Sequence, residues 1–140
     1  FLTNTDWGEL DYMVVDLPPG TSDAPLTVMQ TLNLDGFVVV STPQELAALD
    51  AKRSINMVKK LNLEVLGIVE NMSGSIFGSG AGEQLAEDME LPFLGRVAMR
   101  AEYQQSETKP TVFNSDEVAD EFHTIADGVR KRLVELDPEA

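Results

Sequence analysis

Short apolar runs alternate with amphipathic segments along this chain, and no other feature limits its possible folds as strongly. Four runs are rich in branched and aromatic residues, and we predict a strand in each of them: residues 12–15, 37–40, 65–69 and 93–97. These runs are nearly continuous rather than alternating, as the strands of a sheet covered on both faces require. Helices between successive strands imply right-handed crossovers. The sequence therefore predicts an α/β fold, with a mostly parallel sheet and helices on both faces.

The segments that follow these runs have helical periodicity, and we predict helices over residues 23–33, 43–61, 83–89 and 116–136. The second helix has a clear start signal in Thr42-Pro43-Gln44-Glu45. Thr42 is suited to the N-cap, Pro43 to the first helical position and Glu45 to the third.

The carboxyl ends of parallel strands are where ligands bind in such sheets, and here they carry Asp16, Thr42, Asn71 and Ala98. Asp16 directly follows a predicted strand and begins the segment Asp16-Leu17-Pro18-Pro19-Gly20-Thr21. A carboxylate in this place suits Mg²⁺, which proteins hold through one or two carboxylates together with substrate phosphates. Gly20 allows its backbone N–H to approach a terminal phosphate closely. The alternative is that Asp16 only caps the helix after the Pro-Pro turn.

Composition limits the class of protein further. A chain of 140 residues with 43% hydrophobic and 24% charged residues is expected to form one globular domain, residues 1–140. The 24 acidic residues against 10 basic ones give a net charge of −14, so we expect neither a nucleic-acid nor a membrane partner. The cysteine count is 0, so no cysteine-ligated iron–sulfur cluster is expected from this chain. Nothing indicates secretion, and a cytoplasmic location is expected.

Two further features have plain structural interpretations. The glycine-rich residues 78–82 precede a predicted helix but contain no Lys, so we interpret them as a flexible connector rather than a phosphate-binding loop. Glu70 stands beside Asn71 at a strand end. It could be a second acidic group near a metal, but a solvent-facing side chain is the default interpretation.

The segment from Trp7 to Thr21, WGELDYMVVDLPPGT, resembles the Walker B and switch II region of the Mrp-type ATPases. These proteins are a branch of the MinD/ParA P-loop family, and many of them carry iron–sulfur clusters. Further segments resemble the family in the same order: residues 41–53, 67–73, 77–82, 92–95 and 109–110. The resemblance covers most of residues 7–112, and the linked set is more specific than any single motif.

The resemblance implies a role for each matching position and implies ATP and Mg²⁺ as cofactors. Asp16 would hold the Mg²⁺ shell, and Gly20 would contact the γ-phosphate. Asn71 would hydrogen-bond the adenine ring, and the backbone near Ala98 would line the base. The helix that carries Asp50 would lie near a homodimer interface, because family members hold ATP between two subunits.

Two departures from the family pattern change what the resemblance implies. The Walker A loop is absent, and we expect it, with the N-terminal strands of the domain, to precede Phe1. The chain would then be the C-terminal portion of an Mrp/MinD-like ATPase domain and inactive as an ATPase by itself, because that loop stabilises the transferred phosphoryl group. The family's Cys-x-x-Cys is also missing, since Ser73-Gly74-Ser75-Ile76-Phe77 occupies its place. Ala98 replaces a family proline, which weakens its assignment to the base.

These observations predict an ATP-binding and ATP-hydrolysing P-loop protein of the Mrp family, similar to the iron–sulfur cluster carriers. Its expected partners are a second subunit and iron–sulfur client proteins. One alternative is a MinD/ParA-like regulatory ATPase that binds no cluster, for which no cysteine is needed. Another alternative is a non-enzymatic α/β interaction module that keeps the switch region without nucleotide chemistry.

Overall fold

Strands and helices alternate through most of the chain in a computed structural model, which describes residues 4–18, 23–104 and 109–138. In chain order the elements are α1 (Asp23–Thr31), β1 (Phe37–Ser41), α2 (Glu45–Lys60), β2 (Val65–Ser73), α3 (Ala81–Met89), β3 (Phe93–Ala98) and α4 (Asp116–Leu136). Two short 3-10 helices, Ala101–Gln104 and Thr111–Phe113, connect β3 to α4. Among the described helices, none is long and apolar enough to cross a membrane.

The three strands form a parallel sheet in the order β1-β2-β3, so β2 is the central strand. Near its carboxyl end, Glu70 lies opposite Ser41 of β1 and Arg96 of β3, and Ser73 lies opposite Ala98. The carboxyl ends of all three strands therefore meet at one edge, which we call the carboxyl edge. The predicted α/β class with a parallel sheet is confirmed.

Helices cover both faces of the sheet, as predicted. On one face, side chains from α1, α2 and α3 pack with β1 and β2 in the larger core, which includes Met29, Val39, Ile55, Ile68 and Leu85. On the other face, Ile125 and Val129 of α4 pack against the smaller core, which consists of Val69, Leu94 and Val97. Consecutive β2 residues thus enter opposite cores, which explains why this strand is apolar without alternation.

The predicted strand over residues 12–15 is wrong. Residues 12–18 are in neither helix nor strand, and the Val14 side chain is 94% exposed. A strand needs a pairing partner for its N–H and C=O groups, and in the described part of the chain β1 pairs only with β2. An apolar run without a neighbouring strand therefore stays irregular. Leu17, further along the segment, packs against the larger core.

Two predicted boundaries also change. Helix α2 begins at Glu45 with Gln44 as its N-cap, so Thr42 and Pro43 lie in the turn after β1 rather than at the helix start. The backbone of Gln44 is still extended, at φ −78° and ψ 135°, which delays the first helical turn. Strand β2 continues to Ser73 instead of ending at Val69, because its last residues still pair with β3.

Candidate functional site

The carboxyl edge brings together three of the four positions that the sequence selects. Thr42 follows β1, Asn71 lies two residues before the end of β2, and Ala98 ends β3. Asp16 is exposed and lies in an irregular segment rather than at the end of a strand. Gly20 lies outside the described residues. The roles of Asp16, Gly20, Asn71 and Ala98 therefore remain predictions.

The side chain of Asn71 is held by the backbone of the next residue. Its Oδ1 accepts a hydrogen bond from the N–H of Met72 at 2.8 Å. Met72 has a left-handed backbone with φ 57°, which is uncommon outside glycine and coincides with an irregularity in the pairing of β2 with β3 between Glu70 and Ser73. Because an N–H can only donate to the amide oxygen, the Nδ2 amino group of Asn71 is the donor on the opposite side of the amide.

Glu70 is fully buried, with 0% of its surface exposed, although the sequence favours a solvent-facing side chain. Its Oε2 accepts hydrogen bonds from the N–H groups of Gly82 at 2.8 Å and Gly80 at 2.9 Å. The first turn of α3 and its N-cap thus donate to one carboxylate, which also complements the positive end of the helix dipole. The default interpretation of Glu70 is wrong because the strand directs its side chain toward these donors.

The glycine-rich segment before α3 is an ordered structure rather than the flexible connector that the sequence favours. Gly74 and Gly78 exchange two backbone hydrogen bonds, of 2.8 and 2.7 Å, and close a tight turn. Gly80 has φ 100°, which favours glycine, and an added Cβ on Gly82 would lie 2.8 Å from the Glu70 Cβ. The segment therefore holds an anion through its N–H groups, and that anion is a side chain of the protein itself.

Several groups compete to set the pKa of Glu70. Burial raises it, but the N–H groups of Gly82 and Gly80, a hydrogen bond from the Ser73 side chain and the charge of Arg96 lower it. The net effect is a pKa below the ordinary value, so the carboxylate is ionised at neutral pH. Arg96 is a secondary partner, with its Nε 3.9 Å from Oε1 of Glu70.

A second carboxylate holds the chain where it leaves β3. Glu121 of α4 forms a two-pronged ion pair with Arg100, in which both N···O distances are 2.7 Å. Its Oε2 also accepts the backbone N–H of Ala98 at 3.3 Å. The hydrogen bond from Arg100 lowers the pKa of Glu121 despite partial burial, and the same bond raises the pKa of Arg100.

Glu70 and Glu121 are structural anchors that the sequence patterns above do not predict, for different reasons. Glu70 interrupts an apolar run ten residues before Gly80. A charge inside such a run needs a partner, and the glycine N–H groups before a helix are suitable donors. The sequence therefore does contain a pattern that indicates the contact between Glu70 and Gly80. Glu121 and Arg100 are separated by 21 residues, and no local pattern predicts that they meet.

Metal-binding capacity in the described part of the chain is limited. No group of three or more His, Cys, Asp or Glu side chains there could hold a metal ion by itself. An open groove of about 350 Å³ lies at the opposite, amino end of the sheet, between residues that include Lys59, Val65 and Arg132. Because the described residues include no such acidic or histidine cluster, an ion at the carboxyl edge would need further ligands, such as the phosphates of a nucleotide.

The fold and the position of these residues define a parallel α/β protein with candidate ligand-binding positions at the carboxyl edge of its sheet, and comparison with known proteins gives the family. Residues 1–130 match the family model described as ParA, NUBPL iron-transfer P-loop NTPase. The chain belongs to this family of nucleotide-binding P-loop NTPases, as its resemblance to the Mrp-type branch implies.

Named relatives agree with this family. The chain is similar to an iron–sulfur cluster carrier protein of Methanocaldococcus jannaschii, with 41% identity over 96% of this chain and 50% of the relative. It is also similar to the cytosolic Fe-S cluster assembly factor CFD1 of Saccharomyces cerevisiae, with 44% identity over 69% of this chain and 38% of the relative. The chain thus spans half or less of the length of these relatives.

Solved structures give the same fold. A nucleotide-binding protein from Archaeoglobus fulgidus in complex with ADP has a TM-score of 0.62 and 42% identity, over 71% of this chain and 45% of that one. The cell division ATPase MinD of Pyrococcus furiosus has a TM-score of 0.72 and 24% identity, over 86% of this chain and 52% of that one. The MinD similarity supports the fold alone.

Proposed function

We propose that the complete protein binds MgATP at the carboxyl edge of this sheet and hydrolyses it as an iron–sulfur cluster carrier of the Mrp type. The observation that carries the proposal is the placement of Asn71 and Ala98 near the ends of neighbouring parallel strands. Ligands of parallel α/β sheets bind at this edge. The similar Archaeoglobus protein, which is 42% identical, was solved with ADP.

The residues at this edge fit an adenine nucleotide. The Nδ2 group of Asn71 supplies a donor for a ring nitrogen of the base, because its Oδ1 is already bonded to the backbone of Met72. The backbone that follows Ala98 would line the base. It is held in place from both sides, since Met99 donates its N–H to Ser73 at 2.8 Å and Ala98 donates to Glu121.

Asp16 fits a role on the magnesium side of the site. Its carboxylate is exposed, and a single carboxylate is enough for an ion that keeps several waters and binds phosphate oxygens. Gly20, four residues further on, would contact the γ-phosphate. The Walker A loop that binds the β- and γ-phosphates in this class has no match within the 140 residues, so hydrolysis is proposed for the complete protein only.

The proposal extends to partners and location. We place residues 1–140 in one ATPase domain that forms a homodimer, with α2 and its exposed Asp50 near the interface. A cytoplasmic location and iron–sulfur client proteins are supported by the names of relatives such as the yeast cytosolic assembly factor. Because this sequence has 0 Cys, thiolates for a bound cluster would come from outside these residues.

Nucleotide binding and turnover by the complete protein test the proposal. Asp16→Ala should abolish Mg²⁺-dependent ATP hydrolysis while ATP still binds, and Asn71→Ala should weaken ATP binding. Asp11→Ala is the matched control, because Asp11 is an exposed carboxylate in the same irregular segment and should leave both measurements unchanged. Hydrolysis at the wild-type rate in the Asp16 variant would contradict the assignment.

Iron and acid-labile sulfide, measured after anaerobic reconstitution of the same protein, test the carrier function. A stoichiometric cluster is the expected result. A protein that hydrolyses ATP without taking up iron would instead be a regulatory ATPase, and one that does neither would be an interaction module.

A further inference from the structure

The segment that leaves β3 is tied down at three consecutive residues. Ala98 donates its N–H to Glu121 at 3.3 Å, and Met99 donates its N–H to the carbonyl of Ser73 at 2.8 Å. Arg100 then donates two side-chain hydrogen bonds of 2.7 Å back to Glu121. One α4 carboxylate therefore holds both ends of this three-residue segment, while β2 holds its middle.

The ion pair is well shielded from solvent. The Arg100 and Glu121 side chains are 17% and 21% exposed, so water screens them less than it screens a surface pair. Glu117 adds a weaker contact, 3.6 Å from Arg100, and is itself exposed. Because Arg100 neutralises Glu121, the carboxylate can accept the Ala98 N–H without placing a free negative charge beside an anionic ligand.

We propose that Glu121 is a positioning residue for the nucleotide base, which fixes the backbone of residues 98–100 in the conformation that lines the base. This inference rests on the proposed function and adds to it a residue of α4, which is not part of the sheet. In this proposal Glu121 acts on the base site through its bond to the Ala98 N–H, without contacting the nucleotide, whereas its ion pair with Arg100 stabilises the fold. Substitutions that remove one contact and keep the other therefore separate binding from stability.

Three variants separate the two contacts of Glu121. Glu121→Ala removes both. Glu121→Gln keeps an oxygen that can accept the Ala98 N–H but loses the ion pair. The exchange Arg100→Glu with Glu121→Arg restores opposite charges, but places a side chain without an acceptor opposite Ala98.

The complete protein is titrated with ATP by calorimetry, and its thermal unfolding is recorded for each variant. Glu121→Ala should weaken ATP binding by about tenfold, the lower end of the loss in affinity seen when a partner that orients a metal ligand is removed. Glu121→Gln should keep most of the ATP affinity while its melting temperature falls by about 2–4 °C. The charge exchange should recover the melting temperature but not the affinity. Glu135→Gln, which breaks the exposed pair between Glu135 and Arg132 on the same helix, is the control and should change neither.

The outcomes distinguish this inference from the function on which it rests. A wild-type protein that binds no ATP overturns the proposed function, and the inference with it. Unchanged affinity in Glu121→Ala overturns the inference alone. So does recovery of affinity by the charge exchange, because the ion pair would then be sufficient. If Glu121→Ala does not fold, the opposite patterns of the Gln and exchange variants still decide the question.

Discussion

Removing the charge of Glu70 should destabilise the protein substantially without changing its surface. In Glu70→Gln, the amide oxygen can replace Oε2 and still accept from Gly80 and Gly82. The amino group then takes the place of Oε1, where it faces the Gly80 N–H at 3.1 Å and the Arg96 guanidinium instead of accepting from them. A hydrogen bond to a charged group contributes about 1.5–3 kcal/mol, so losing one predicts a loss of about 2–3 kcal/mol in the free energy of unfolding. Glu70→Ala leaves both N–H groups without an acceptor and should cost about 3–5 kcal/mol.

Urea unfolding of the complete protein measures this prediction, with Glu83→Gln as the control. Glu83 of α3 bonds to Arg96 of β3 at 2.8 Å in an exposed pair, and pairs of that kind contribute about 0–1 kcal/mol. A free energy of unfolding within about 0.5 kcal/mol of wild type in Glu70→Gln would refute the argument, because substitutions away from buried contacts have effects of that size.

The same variant should remove part of the pH dependence of stability. The pKa of Glu70 in the folded protein lies below its ordinary value of 4.5, so ionisation of this group stabilises the fold above that pH. The stabilisation is lost as the pH falls from 4.5 through the lower folded pKa. The difference in free energy of unfolding between wild type and Glu70→Gln should therefore be constant near neutral pH and shrink on acidification. A difference that grows on acidification would contradict the sign.

Three further predictions use single contacts. Gly82→Ala should destabilise the protein by about 1–3 kcal/mol in urea unfolding, although alanine favours helices, because its Cβ would lie 2.8 Å from the Glu70 Cβ; a stabilised variant would contradict this. Asn71→Asp keeps the acceptor for Met72 but loses the Nδ2 donor, so calorimetry should show weakened ATP binding with little change in melting temperature; unchanged affinity would remove Asn71 from the base site. Arg53→Ala breaks an exposed 3.0 Å pair with Asp50 and should change the free energy of unfolding by less than about 1 kcal/mol; a larger loss would show that the pair is not merely a surface contact.

Local sequence patterns predicted the elements whose partners lie within the described chain. The runs at 37–40, 65–69 and 93–97 became strands because each pairs with a neighbour and is covered by helices. The run at 12–15 is similarly apolar but has no neighbouring strand within residues 4–18, 23–104 and 109–138, and it stayed irregular. Apolar composition therefore indicated which segments can become strands, whereas pairing, which depends on the rest of the sheet, decided which of them did.

The residues of the site also differ in whether local sequence patterns could predict their placement. The placement of Asn71 and Ala98 at one edge followed from the strand pattern, since parallel strands end together. The contact between Glu121 and Ala98 joins residues separated by 23 positions and depends on how α4 crosses β3. The packing of Ile125 and Val129 on the smaller core and the burial of Val118 place α4 so that Glu121 reaches Ala98.

The glycine-rich segment before α3 shows that a loop of this kind does not always indicate a phosphate-binding site. Its N–H groups have the properties of an anion-binding loop at a helix N-terminus, which would ordinarily indicate a phosphate site. Here Glu70 occupies those donors, at 2.8 and 2.9 Å, and Gly82 is needed for the close approach of that side chain. A phosphate could bind there only by displacing a buried carboxylate that would then lose its partners. A glycine-rich loop therefore indicates a ligand only when no acidic residue on the preceding strand can reach its N–H groups, and in this chain the acidic residue reaches them.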